Sequence, residues 1–412
     1  VMRVLTSKDV LRPRAKGVKG WVGRMIFDMT PFLFSVMRRI KPVLTVSGFT
    51  LTSRYDHVRE VFATDSKFGV IYGPKLDIIM GGEPFFLGLG DTPRYRRDTE
   101  AMRKVTLSAD LPRLAKDVEA RAEAIIAAAS GQIEIVDELT RQVSFDFLAE
   151  YFGIPHPAKG DLRVWATRLF EFQFADSGND KKLRAEVNEI APALRAHIDA
   201  AIAQRHQCAA KDDVLGRCLV RQAAGEPGYS DIEIRTALIG FIVGGPPQPA
   251  MLLPQAMEQL LRRPKVLAEA QSAARSNDDE KLRRYVFEAM RFDPLAPGLP
   301  RVALEDVILA RGTWHETSIK AGAQVLAAFA SAMMDPRRVA NPTTFDPNRP
   351  ASDYMHFGFG LHECFGRHIN RATLHMMLKP ILKRENIRRA PGPNGRLRKN
   401  GPFAERLVVE FD

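Results

Sequence analysis

The stretch HFGFGLHECFGRHINRATLHMML, His356 to Leu378, decides how the rest of the 412-residue chain is read. Within it Phe357, Gly360, Cys364 and Gly366 fall in the spacing F-x-x-G-x-x-x-C-x-G. Each position has a physical task if Cys364 is a haem-iron ligand. Gly358, Gly360 and Gly366 let the backbone turn sharply and approach a flat macrocycle. Cys364 stands just before an expected helix N-terminus, whose dipole and free amides favour a thiolate. Phe357 would cover the sulfur from water, and His362 can reach a propionate. The plainer alternative is a small buried cysteine in a glycine-rich turn. Zinc does not fit, because His356, His362 and His368 have no second cysteine at a zinc spacing.

The motif is similar to the cysteine loop of the cytochrome P450 family, and the resemblance extends over most of the chain. EAMR matches the family's E-x-x-R and places Glu288 and Arg291 on one helix face. FDPNR supplies Arg349 between that pair and the cysteine, while ASAMMDP and IKAGAQV resemble the family's intervening loop and strand. E-x-x-R alone is most simply a surface ion pair. The resemblance implies instead a buried network of Glu288, Arg291 and Arg349 that holds the cysteine loop. It also implies heme b (iron protoporphyrin IX) as cofactor. PRVALEDV resembles the segment whose arginine, here Arg301, pairs with a propionate. The family's D-P-P-x-H-x-x-x-R stands here as DTPRYRRDTEAMR, with Tyr95 at the histidine's place and Thr99 at the arginine's. Arg97 or Arg103 would then complete the clamp.

Further upstream, SDIE at Ser230 to Glu233 has capping-box spacing, and a helical pattern runs from there to about Arg262. FIVGGPPQPAM, Phe241 to Met251, interrupts it with three prolines in four positions. Proline has no amide proton and its ring collides with the preceding turn, so a break is expected. In the family the matching helix crosses the oxygen-binding face and carries A/G-G-x-D/E-T, whose acid and alcohol deliver protons. Gly244 and Gly245 match the small pair, but Pro247 stands at the acid's place and Gln248 at the alcohol's. The freed carbonyls could hold water or a substrate oxygen, and Gln248 could bond the bound oxygen. The alternative is that the prolines only shape a pocket.

The rest of the chain reads as mainly α with small β sheets, in the family's fold: haem held between the long central helix and the helix after the cysteine loop. One domain over 1–412 is expected, β-rich from about 40 to 100. The stretch MTPFLFSVM, Met29 to Met37, is about half a bilayer span and is expected as a buried helix rather than a surface anchor. No transmembrane segment and no signal peptide are read. Three cysteines suit a reducing, cytoplasmic setting rather than a disulfide framework. A net charge of +11 suits an acidic partner or an anionic membrane surface. Nucleic acid is disfavoured, because the basic residues are scattered and few aromatics lie among them.

The resemblance implies a monooxygenase acting on an apolar small molecule with electrons from an acidic ferredoxin. Loss of the acid and alcohol keeps a second possibility open, a peroxygenase or lipid hydroperoxide isomerase of the same fold. A non-catalytic haem-thiolate sensor is the remote third. The substrate pocket is expected from YGPKLDIIMGGEPFFLGLG, FEFQFADSG, Phe241 to Gln248, Leu295 to Leu299 and GPFAERL.

Overall fold

The capping box forms as its spacing requires: the Ser230 amide donates to Glu233 Oε2 at 3.0 Å, and the helix Asp231–Gly244 begins there. In this computed structural model, which describes residues 4–13, 17–176, 178–208 and 211–412, that helix stops at Gly245 and a second, Pro247–Leu261, follows Pro246. The helical pattern from 230 to 262 is thus broken at the prolines. The physical reason is the one anticipated, since residues 246 and 247 have no amide protons to give the carbonyls of Ile242 and Val243. Both segments are apolar on nearly all sides and lie in the core. By length and composition Asp231–Leu261 could cross a membrane, but 78% of its most apolar window is buried inside the protein.

The helix after the cysteine, Arg367–Lys383, lies against Leu111–Ala128. Its buried Lys379 bonds Glu119 at 3.1 Å and Asp279 at 2.7 Å, tying three helices together. Asp278 caps the third of these, Asp279–Phe292, by accepting the Lys281 amide at 3.0 Å.

Strands from distant parts of the chain share a five-stranded sheet, ordered Val43–Val46, Phe49–Thr52, Gln324–Ala327, Leu299–Ala303, Phe68–Val70. Only Phe49–Thr52 with Gln324–Ala327 is parallel. The pairing of Val70 with Arg301 sets the position of that arginine, bringing it beside the segment that carries Tyr72.

The stretch Met29 to Met37 corrects an expectation. It belongs to the helix Gly17–Ile40, but it is not a buried helix, since Phe32 is 64% exposed and Ile40 68%. Among its described residues, the face carrying Phe34 and Arg38 is the buried one, with Arg38 Nη1 donating to Ser331 Oγ at 2.8 Å.

Candidate active site

The cysteine loop is built on two left-handed glycines, Gly358 at φ +72° and Gly360 at φ +78°. Gly360 is needed twice, because a β-carbon there would sit 2.3 Å from the Phe62 carbonyl oxygen. The Cys364 amide closes the loop on the Phe357 carbonyl at 2.8 Å. Phe357 packs beside Phe287, ring centroids 6.0 Å apart. Burial pushes the Cys364 thiol up, while the Gly366 amide and the Arg103 charge pull it down. The amide assistance expected from the helix start is thus present, but desolvation outweighs it, and a metal must displace the proton.

Behind the loop, Glu288 and Arg291 are fully buried and joined by two bonds of 2.9 and 2.7 Å. Arg349 reaches the same carboxylate at 3.1 Å and the carbonyls of Asn341 and Thr344 at 2.8 Å each. Tyr354, which the sequence did not single out, donates to Glu288 Oε2 at 3.0 Å. Both oxygens of the buried carboxylate are therefore bonded, as a buried charge requires. The simple surface ion pair is excluded, and the arginines bind the very segment that leads into the cysteine loop.

One cavity is lined both by Cys364 and, from the helix break, by Gly244, Gly245 and Gln248. Its volume is about 240 Å³. The expected segments contribute Tyr72, Leu87, Phe174, Leu295 and Pro402, whereas Phe85 and Phe86 are core residues behind the wall. Among the described residues, no Asp or Glu lines it.

At the break, Gln248 Nε2 donates to the Gly244 carbonyl, and Ser144 Oγ donates to the Pro246 carbonyl at 2.8 Å. The Gly244 carbonyl is thus not left open for water or substrate, because the carboxamide one turn ahead takes it. That leaves Gln248 Oε1 without a protein partner among the described residues.

Along one edge of the cavity sits an anion-seeking pair. Arg301 is 4% exposed; among the described residues its guanidinium donates only to the Pro300 carbonyl at 3.0 Å, lies 5.1 Å from the Phe62 ring centroid and pairs with no carboxylate. His362 faces it, and burial with the neighbouring cation pushes the imidazole down to about 4. His362 Nδ1 is buried without a partner. An unpaired buried cation beside an orphaned ring nitrogen calls for a ligand that brings its own carboxylates. With a sulfur and apolar walls in the same cavity, the donor set fits a haem.

Arg97 is a correction. It is turned outward, its Nη2 2.5 Å from Glu233 Oε1 on the protein exterior. On the helix Pro93–Val105 it stands about 200° from Tyr95, whose hydroxyl donates to the Leu361 carbonyl at 2.5 Å. Arg103, two turns further on, returns toward the Tyr95 face. Its guanidinium lies 3.9 Å from the Phe365 ring centroid, and Nη1 donates to the Phe365 carbonyl at 2.8 Å. Helix phase was the signal that could have chosen between the two.

The sequence profile described as Cytochrome P450 matches residues 166–392, more than half of the chain. The chain belongs to the cytochrome P450 family. Membership of that family implies a haem cofactor. Its mainly helical fold with small sheets is the P450 fold. The crystal structure of P450BioI in complex with hexadec-9Z-enoic acid ligated acyl carrier protein superposes at TM-score 0.78 and 19% identity, covering 94% of this P450 and 100% of that chain. A bifunctional dioxygenase–epoxy alcohol synthase of Pyricularia oryzae is 24% identical over 409 residues, 89% of this chain but 35% of that protein. This P450 thus spans about a third of that relative's length. The cytochrome P450 FAS1 of Rhodococcoides fascians is 26% identical over 365 residues, 84% of this chain and 86% of its own.

Proposed function

We propose that this P450 is a haem-thiolate isomerase of unsaturated fatty-acid hydroperoxides, forming epoxy alcohols without added reductant. The observation that carries this reading is the turn over the cavity, where Pro247 and Gln248 replace an acid and an alcohol and no carboxylate among the described residues lines the walls. Cleaving bound dioxygen needs a proton handed to the outer oxygen, and neither a proline nor a carboxamide is an acid. A hydroperoxide arrives with its O–O bond already made. Its rearrangement to an epoxy alcohol keeps both oxygens, every hydrogen and every electron in the product.

Heme b held through Cys364 would supply the iron chemistry for O–O bond cleavage, with the thiolate as electron donor. Arg301 and His362 neutralise and bond its propionates. Phe357 and Phe287 keep water from the sulfur. Gln248 Oε1 accepts the hydroperoxide O–H, while its Nε2 stays anchored on Gly244 and fixes the orientation of the amide. Phe170, Phe174 and Leu295 hold the acyl chain. The name of the Pyricularia relative, a dioxygenase joined to an epoxy alcohol synthase, supports the same product class.

Haem-loaded protein given a polyunsaturated fatty-acid hydroperoxide, and no reductant, should form an epoxy alcohol whose two oxygens both come from the hydroperoxide. Gln248→Leu should slow this by roughly tenfold or more, since a preorganised polar group at the reacting oxygen is lost. Turnover that requires a ferredoxin chain and dioxygen would overturn the reading.

That outcome would support the second reading, a dioxygen-dependent monooxygenase. What favours it is a cationic cluster about the cysteine loop: Arg371 lies near Arg283 and Arg367, opposed by Glu280, and His368 feels Arg103 as well. An acidic ferredoxin would dock there, and its electron-transfer rate should fall as salt rises.

A further inference from the structure

We propose that the helix Gly17–Ile40 is a docking face for an anionic lipid surface. Met29, Phe32, Leu33, Val36 and Ile40 are 42, 64, 40, 37 and 68% exposed. Their spacing places all five on one side of the helix. Phe34 and Arg38, on the other side, are 6% and 8% exposed and carry its attachment to the protein. Scattered apolar residues on a surface need no explanation, but a contiguous stripe of large ones does. The adjoining hairpin, Val43–Val46 with Phe49–Thr52, adds Val46 and Phe49 at its tip, 58% and 42% exposed.

The charges around the stripe select the occupant. Arg39 and Lys41 are exposed at its C-terminal end. Arg38 feels Arg39 and Arg337 as like charges, with Asp335 as the opposing one. Arg54 Nε donates to the Arg38 carbonyl at 3.0 Å, and its guanidinium lies 5.7 Å from the ring centroid of Trp314. Trp314 is 72% exposed, between the strands Val307–Leu309 and Thr317–Ile319. An apolar stripe, a basic rim and an exposed tryptophan beside them are the parts of a helix that lies in the headgroup plane. A second copy would set this cationic rim against its own, whereas anionic headgroups neutralise it. The net charge of +11 acts in the same direction at longer range.

Flotation of the haem-loaded protein with vesicles of phosphatidylcholine, alone or mixed with phosphatidylglycerol, tests the assignment directly and independently of the reaction catalysed. The protein should float with the anionic vesicles and remain behind with the neutral ones. Phe32→Glu combined with Ile40→Glu should abolish flotation while leaving haem absorption unchanged, because both side chains are in solvent. Arg39→Gln and Lys41→Gln should each weaken binding roughly fivefold. Protein left in the aqueous fraction with both vesicles would overturn the proposal. A concentration-dependent dimer that Phe32→Glu dissolves, without lipid binding, would overturn it too and give the face to a second copy.

Discussion

Gly360 shows how closely residue type can be tied to a site. Both its left-handed backbone and the 2.3 Å approach to the Phe62 carbonyl forbid a side chain, whereas at Gly358 only the backbone does, with nothing nearer than 3.9 Å. Gly360→Ala should therefore cost more than the roughly 1–2 kcal/mol of a left-handed alanine, and Gly358→Ala about that much. Denaturant unfolding of the two variants measures the difference. Cys364→His should remove the long-wavelength band of the reduced carbon monoxide complex, and an unchanged band would mean another ligand. These residues were legible because a glycine or a cysteine reports a local demand. Arg97 and Arg103 were not distinguishable by type, since the two differ only in where the helix points them.

Elements explain why the break over the cavity is stable. Ser144, on the helix Gln142–Phe152, bonds the Pro246 carbonyl at 2.8 Å, and both groups are buried. Ser144→Ala leaves that carbonyl unpaired and should cost about 1–3 kcal/mol, read by urea unfolding. Its effect should also extend to activity, because Gln248 depends on the same turn. The network on Asp279–Phe292 is the stronger case. Glu288→Ala strands two buried guanidinium groups and should cost about 3–5 kcal/mol, seen as a collapse in the yield of haem-loaded protein. The capping box and the proline break could be read in advance, being interactions within one turn. The bond from Gln248 to Gly244 and the one from Ser144 could not. The first is a rotamer choice, and the second comes from 102 residues away.

For the whole molecule, the histidines set an acid limit. Burial holds His57, His356 and His375 at about 4 against an ordinary 6.5, aided at His57 by the neighbouring His315 and opposed at His356 by the Phe287 carbonyl and at His375 by Asp279. The folded state therefore binds fewer protons than the unfolded state between those values. Stability is full above about pH 6.5, falls as pH drops toward 4, and levels off below. Each such shift is worth on the order of 3 kcal/mol. Urea unfolding across pH 7 to 5 should show the decline, and His375→Gln should reduce its slope by about one proton. A flat profile would show that these rings reach water readily.

The loop from Phe357 to Gly366 and the proline break were determined by sequence alone, because each is written in residue types whose backbone demands admit few alternatives, whereas the burial of the E-x-x-R pair was not. What only the tertiary structure decided were matters of phase and partnership. Strand register set Arg301 against Tyr72 and His362 with no counter-ion among the described residues. Helix phase sent Arg97 outward and Arg103 to the cysteine loop. The apolar stretch from Met29 to Met37 carries no mark of which side it faces. Burial is a property of what packs against a helix, and along the stripe ending at Ile40 the described residues offer nothing to pack.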